Sequence, residues 1–201
     1  MDEVMAANDC KHRMAGFDYV IVMDMDEIII PKPTRKNLHP TLVTALQEAS
    51  VRHPKASAFS MDAHVVPPDW GKARESPLFL ARFINRTSFT NYDGAMRNLR
   101  WAFSSVGVHH VRNNQVTVDK GYTAAEMPED LYTFYHYRRC KNTWKNCTKL
   151  AEKIHDESIL RYETKLVDAI LALPVDDILS KEKAYVSGLK KWKKTESKRS
   201  T

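Results

Sequence analysis

Apolar positions along this chain come in runs before they come in alternation. Residues 19–23, YVIVM, are unbroken and end on Asp24, Asp26 and Glu27; a second run, Ile28 to Ile30, follows and stops at Pro31 and Pro33. A run of the first kind predicts a strand over 19–24 covered on both faces, as the central strands of parallel sheets are. Proline cannot donate to a ladder and closes the second run. Residues 2–15 have helix-forming composition, and Gly16 and Asp18 mark a break before the strand. In HPTLVTALQEAS, Pro40 predicts a helix start, with Leu42, Val43, Leu46 and Ala49 on one apolar face.

Further on, ASAFSMDAHVV (56–66) alternates as a strand does, PPDWGKARESP is turn chemistry, and LFLARFINRTSF is another strand candidate. TNYDGAMRN reads as a loop, LRWAFSSVGVHHV and QVTV as strands, and LYTFYHYRRC as an aromatic β segment. Residues 148–173 recur at helical spacing through Leu150, Ile154, Leu160, Leu166, Ile170 and Leu173, and Pro174 ends them. Strands mixed with helices and without an internal repeat predict an α/β sheet fold.

Length and charge narrow the picture. The chain has 201 residues, 43% of them hydrophobic, enough for one core. Its net charge of +6 collects in LKKWKKTESKR (189–199), so the body is near neutral and a basic nucleic-acid groove is not expected. Residues 176–201 are expected to form a basic, disordered tail. No stretch approaches the roughly 20 apolar residues of a membrane span, and the first residues lack a signal peptide's pattern; taken alone, these describe a soluble cytosolic chain. Cys10, Cys140 and Cys147 allow one disulfide and fix no pairing, and NRT (85–87) and NCT (146–148) are glycosylation sequons.

The acidic end of the first strand carries the chemistry. Ligands of open α/β sheets bind beyond the carboxyl ends of the strands, and Asp24 stands at such an end. Asp24 and Asp26 are one residue apart and can aim their carboxylates the same way. Two such groups repel unless a cation lies between them, and oxygen ligands suit Mg²⁺ or Mn²⁺. The plain alternative is a polar turn. Haloacid-dehalogenase-like phosphatases have a similar Asp-x-Asp motif, which VIVMDMDEI resembles except for Ile28; there Asp24 would be the nucleophile and Asp26 the acid/base, with Ser60 and the 175–178 segment VDDI as further parts.

Four pieces in order resemble glycosyltransferase family 92: NDC with Arg13, YVIVMDMDEIIIP, SVGVHHV (105–111) and YHYRRC (135–140). The resemblance covers roughly residues 1–165. It implies a GT-A-like mixed sheet flanked by helices and a metal-dependent inverting transfer of a hexose, galactose by family, from a UDP-sugar to a glycan on glycoprotein or glycolipid. Carried over by residue, Asp24 and Asp26 would hold Mn²⁺ or Mg²⁺ and the diphosphate, Glu27 would support the turn, and His136 or His109 would complete the metal shell. Arg138 would face phosphate oxygens. The general base that an inverting transfer needs would be Asp93, with Asp62, Asp69 and Glu75 as competitors; Trp70 and Trp101 could stack on sugars. The family reading also implies the lumenal side of the Golgi membrane, reached through an anchor that this sequence does not contain. The sequons and cysteines suit that compartment.

A GT-A domain places several strands before its Asp-x-Asp, whereas 23 residues precede Asp24. The expectation is therefore a partial catalytic domain over 1–175 whose first half is absent. Three readings follow. A glycosyltransferase site brings Asp24, Asp26 and one histidine together; a phosphatase brings Asp24 to a lysine and to residues 176–177; a non-catalytic remnant leaves an exposed apolar sheet edge.

Overall fold

The computed structural model describes residues 3–35, 37–88, 99–112, 115–139, 152–172, 187–192 and 194–195. In chain order the elements are α1 (Glu3–Arg13), β1 (Val20–Ile21), β2 (Glu27–Pro31), α2 (Leu42–Arg52), β3 (Ala56–Asp62), β4 (His64–Val65), α3 (Phe79–Arg82), β5 (Asn85–Thr87), β6 (Leu99–Phe103), β7 (Val108–Arg112), β8 (Gln115–Val118), β9 (Thr123–Glu126), β10 (Tyr132–His136), β11 (Lys153–His155) and α4 (Glu163–Ala172). Two sheets carry the fold, one ordered β1-β6-β3-β9 and one ordered β2-β10-β4, with two ribbons, β5 with β11 and β7 with β8. The β3–β9 and β4–β10 pairs are parallel and the others antiparallel. This is a mixed α/β domain with helices flanking its sheets, consistent with the GT-A-like expectation.

Alternation along the strands makes three packing layers. Phe59, Met61 and Ala102 point from the first sheet, and Phe134 from the second, into one core with Ala45, Leu46 and Ala49 of α2. The opposite face of the first sheet sends Ala58 and Phe103 against Ala7 of α1 and Val108 and Val111 of β7. On the second sheet's other face, Ile30, Tyr135 and Tyr137 pack with Ile84 and Ile159. Phe59, Phe103 and Phe134 are fully buried, each worth about 1.5–3 kcal/mol of transfer free energy.

Several sequence expectations change. The run 19–24 is not a central parallel strand: β1 is two residues long, half-buried, antiparallel, and at the edge of its sheet among the described residues. Tyr19 and Ile21 line a groove of about 690 Å³ with Leu42, Leu46 and Val51 of α2, while Val20 and Val22 pack on the other face with Phe103 and Val108. Helix α2 starts after Thr41, not at Pro40. The Thr41 hydroxyl accepts from the Thr44 amide and the Thr44 hydroxyl from the Thr41 amide, a reciprocal cap. Its buried stripe is Ala45, Leu46 and Ala49, while Val43 faces solvent. The expected strand in LFLARFINRTSF divides into α3 and β5.

The long helix expected over 148–173 is a strand, β11, then a 3-10 turn, then α4 over the last ten described residues. Ile154 serves an antiparallel pair with Arg86 instead of a helical face. Residues 187–192 of the expected disordered tail are helical, and Leu189 is buried with Leu78, Ala81 and Val167. Cys10 is a free thiol; Cys140, Cys147 and the sequon at 146 lie outside the described residues.

A part-buried charge cluster joins the β5–β11 ribbon to the second sheet. Arg86 Nε donates to Asp156 Oδ2 at 2.7 Å, and its Nη1 lies 3.1 Å from His64 Nδ1. Burial alone would raise the Asp156 carboxyl; the Ser158 hydroxyl and Arg86 outweigh it and hold it well below the usual range. Burial, helped by Arg86, pushes His64 down to about 4. Below pH 6.5 the unfolded His64 binds a proton that the folded one refuses, so stability falls from pH 6.5 toward 4. The Asp156 contribution is intact above the unfolded carboxylate value and is lost only in stronger acid. Urea midpoints at a series of pH values are expected to decline over the first window, with His64→Gln flattening that slope. At pH 7, Asp156→Asn should cost about 1.5–3 kcal/mol, because it takes a charge-assisted hydrogen bond from the part-buried Arg86.

At Gly107, φ is +79° and an added Cβ would lie 2.4 Å from the Tyr122 ring. Gly107→Ala is therefore expected to lower stability by about 1–3 kcal/mol from backbone strain alone, read as a lower denaturation midpoint, with more from the ring.

Candidate functional site

The acidic motif forms the turn that carries the chain from the first sheet into the second. After β1, residues 25 and 26 make a turn in which the Glu27 amide donates to the Asp24 carbonyl at 3.1 Å. Glu27 then opens β2, directly opposite His136 at the end of β10. The Tyr137 amide donates to the Asp26 carbonyl at 2.8 Å, so the backbone after β10 is pinned to the turn. On its other side, the His136 carbonyl accepts from the Val66 amide at 3.0 Å, beyond β4. His136 is thus fixed by the register of a central strand.

Side chains converge accordingly. His136 Nε2 lies 3.3 Å from Asp26 Oδ2, and its Nδ1 lies 3.6 Å from Glu27 Oε1. His136 is almost fully buried, whereas the Asp26 carboxylate is about half exposed. Burial pushes the imidazole down to about 4, against an upward pull from Asp26, so the ring is neutral near pH 7.

Glu27 is the buried hub. Its Oε2 accepts from the Asp24 amide at 3.0 Å and from Arg100 Nε at 2.8 Å. Its Oε1 is buried without a hydrogen-bond partner. Burial raises the Glu27 carboxyl, with the Asp24 amide and Arg100 pulling it down. Arg100 Nη2 reaches Asp24 Oδ2 at 2.5 Å. This contact follows from the antiparallel β1–β6 pair, in which Ile21 lies opposite Ala102 and the chains run on toward Asp24 and Arg100.

The donor set suits a hard or borderline cation: carboxylate oxygens and a neutral imidazole. A cation taking Nε2 needs the histidine hydrogen on Nδ1, and Glu27 Oε1 is the unpartnered acceptor on that side. Glu27 thus stands on the side from which a carboxylate orients a metal-ligating histidine, although 3.6 Å is longer than a hydrogen bond. With Asp24 turned to Arg100, however, no three His, Cys, Asp or Glu side chains among the described residues are gathered into a group that could hold a metal ion.

The remaining candidates separate. His109 is 75% exposed on β7, its ring 3.7 Å from Asp119, and no contact joins it to Asp24 or Asp26. Arg138 is half-buried just past β10, close enough to depress the His136 pKa. Asp62 ends β3 opposite Leu99, the neighbour of Arg100, at the same end of the sheet as Asp24. Asp69 faces Arg139 at 3.4 Å, Glu75 is exposed, and Lys153 lies 5.9 Å above the Trp70 ring. Trp101 is on β6, and its indole N–H is buried without a hydrogen-bond partner. Asp93 lies outside the described residues, as do 176–177 of the phosphatase reading. The Asp24 partner is an arginine rather than the lysine that reading expected.

Two of the four sequence pieces also meet away from the turn. The Asn8 side chain donates to the Val111 carbonyl at 2.9 Å and accepts from the Val111 amide at 3.2 Å, so α1 closes the free edge of β7 with one amide group. Lys11 Nζ donates to the His109 carbonyl at 3.0 Å. NDC and SVGVHHV therefore make one structural joint, and the acidic motif and YHYR make another. Glu27 supports the turn as expected, through the Asp24 amide; Arg100, and its bond to Glu27, are the features that sequence reasoning missed. The only signal for Arg100 was a basic residue inside a strand pattern.

The model of the family described as Glycosyltransferase family 92 matches residues 1–169 of this chain. No curated protein matches it.

Removal of the hub should be felt in stability before it is felt in chemistry. Glu27→Ala leaves Arg100 Nε and the Asp24 amide unpartnered and is expected to cost about 3–5 kcal/mol, measured by urea unfolding. Glu27→Gln, which can still accept from both, should cost clearly less.

Proposed function

Because the chain belongs to glycosyltransferase family 92, we propose that it serves a metal-dependent inverting transfer of a hexose, galactose in our reading, from a UDP-sugar to a glycan acceptor on glycoprotein or glycolipid. The observation that carries this is the Asp26–His136 approach at 3.3 Å, built by the β2–β10 register. Two residues far apart in sequence provide adjacent oxygen and nitrogen donors at the end of a sheet, where ligands of such folds bind.

Asp24, Asp26 and His136 are the residues that would hold Mn²⁺ or Mg²⁺. The bound cation would neutralise a diphosphate leaving group. This chain's own residues supply the rest. Glu27 orients the imidazole and ties down the turn, and Arg138, beside His136, is our candidate for a phosphate oxygen. Deprotonation of the acceptor hydroxyl falls to Asp93 in this proposal, with Asp62, at the same end of the first sheet as Asp24, as its competitor. The lumenal side of the Golgi membrane is the proposed location. Among the described residues no helix is long and apolar enough to cross a membrane, which leaves that location open to test.

A second reading, a non-catalytic domain, is favoured by two observations: the apolar groove beside edge strand β1, with Phe17 and Val51 exposed, and the Arg100–Asp24 pair. Calorimetric titration with UDP separates the two. Binding that requires Mn²⁺ and is lost in Asp26→Asn supports a transferase site; a folded chain that binds no UDP with Mn²⁺ present supports the non-catalytic domain.

A further inference from the structure

Arg100 grips the acidic turn at two points of unequal permanence. Its Nε bond to Glu27 joins a side chain 17% exposed to one with no exposure. Breaking it would strand a buried carboxylate, so this end is an anchor. The Nη2 contact reaches Asp24, whose side chain is 54% exposed. Water and ions compete freely there, and exposed pairs of this kind contribute little. The guanidinium is therefore fixed at one end and exchangeable at the other.

A small cavity of about 60 Å³ adjoins the exchangeable end, lined by Asp24, Arg100, Trp101 and Arg112, with Ala7 and Val22 as apolar walls. Its volume is about that of two waters, room for the oxygens of one phosphoryl group. Two arginines, Arg100 and Arg112, stand among its lining residues beside one carboxylate. The single acceptor side chain among them, Asp24, is the one Arg100 holds.

Resting on the glycosyltransferase reading above, we infer that Arg100 is a diphosphate-binding residue that exchanges partners: when a divalent cation takes Asp24, Arg100 stays on Glu27 and gives its freed N–H groups to an oxygen of a nucleoside diphosphate. Asp24 is thereby screened by a resident cation until the ligand's cation replaces it. The same exchange explains why no complete three-donor group is gathered among the described residues. Glu27 sits behind both halves of the exchange, orienting His136 for the cation and Arg100 for the anion.

The test uses the full chain and three variants, Arg100→Gln, Arg100→Lys and the paired Glu27→Gln/Arg100→Gln. UDP binding is measured by calorimetry with and without Mn²⁺, and Mn²⁺ alone by electron paramagnetic resonance. Arg100→Gln is expected to weaken UDP binding in the presence of Mn²⁺ roughly 10- to 100-fold, the loss of a charge-assisted hydrogen bond. Binding of Mn²⁺ alone should hold or tighten, because the competitor for Asp24 is gone; a merely structural role for Arg100 would weaken both. Arg100→Lys should recover only part of the loss, since an ammonium cannot serve Glu27 and a phosphate as a planar fork does. If Arg100→Gln alone does not fold, the paired variant, which leaves no buried charge unmatched, carries the measurement. Unchanged UDP affinity in a folded Arg100 variant, with the parent chain binding, overturns this inference and leaves the transferase reading intact. A parent chain that binds neither Mn²⁺ nor UDP overturns both.

Discussion

The carboxylate of Glu27 is the constraint on which the rest of the site depends. A charge without solvent contact persists in a fold only when its partners are in place; Glu27 draws them from the Asp24 amide and the Arg100 guanidinium, while the β2–β10 pair sets the His136 ring 3.6 Å from its other oxygen. Each is held by a different element, so meeting the needs of one buried group sets the mutual positions of the turn, β6 and β10. The two aspartates, by contrast, reach into solvent. A buried acid organises and the exposed acids are left available.

The layout of the two sheets follows from the same junction. The turn at 24–26 passes the chain from the edge of the first sheet to the edge of the second, and the core beneath α2 draws Phe59 and Met61 from one and Phe134 from the other. Because both sheets contribute to one apolar layer, the turn sits over a packed floor. The Asn8–Val111 pairing and the buried Lys11 do a similar service for β7, closing an edge that would otherwise present unpaired amides.

Much of this was legible in the sequence, and the failures have physical causes. The acidic motif, β3, β6, β7, β8 and β10 are readable because run length, alternation and aromatic content report burial directly. The run 19–24 misled because an apolar run reports that side chains are covered, not by what; here α2 and the edge of an antiparallel pair cover them. The region before α4 misled because Leu150, Ile154 and Leu160 happen to fall at helical intervals, while Ile154 is committed to Arg86 across a ribbon. Asp26 and His136 could be nominated as ligands from residue type and family likeness. Arg100 could not, because its meaning lies in strand register, which a single chain does not print. His109 and His136 looked alike as sequence and differ in that one ends a central strand and the other stands on an exposed hairpin.

The opposition of Glu27 and His136 also governs the order in which the molecule can be made. The acidic turn leaves the ribosome well before the strand that aligns it, and β10 must then enter between β2 and β4, both distant from it in sequence. Pairings this remote carry a large loop-closure cost before any contact repays it. Until β10 is made, the nascent chain carries Glu27 without the strand that faces it, beside an apolar run that the finished fold covers.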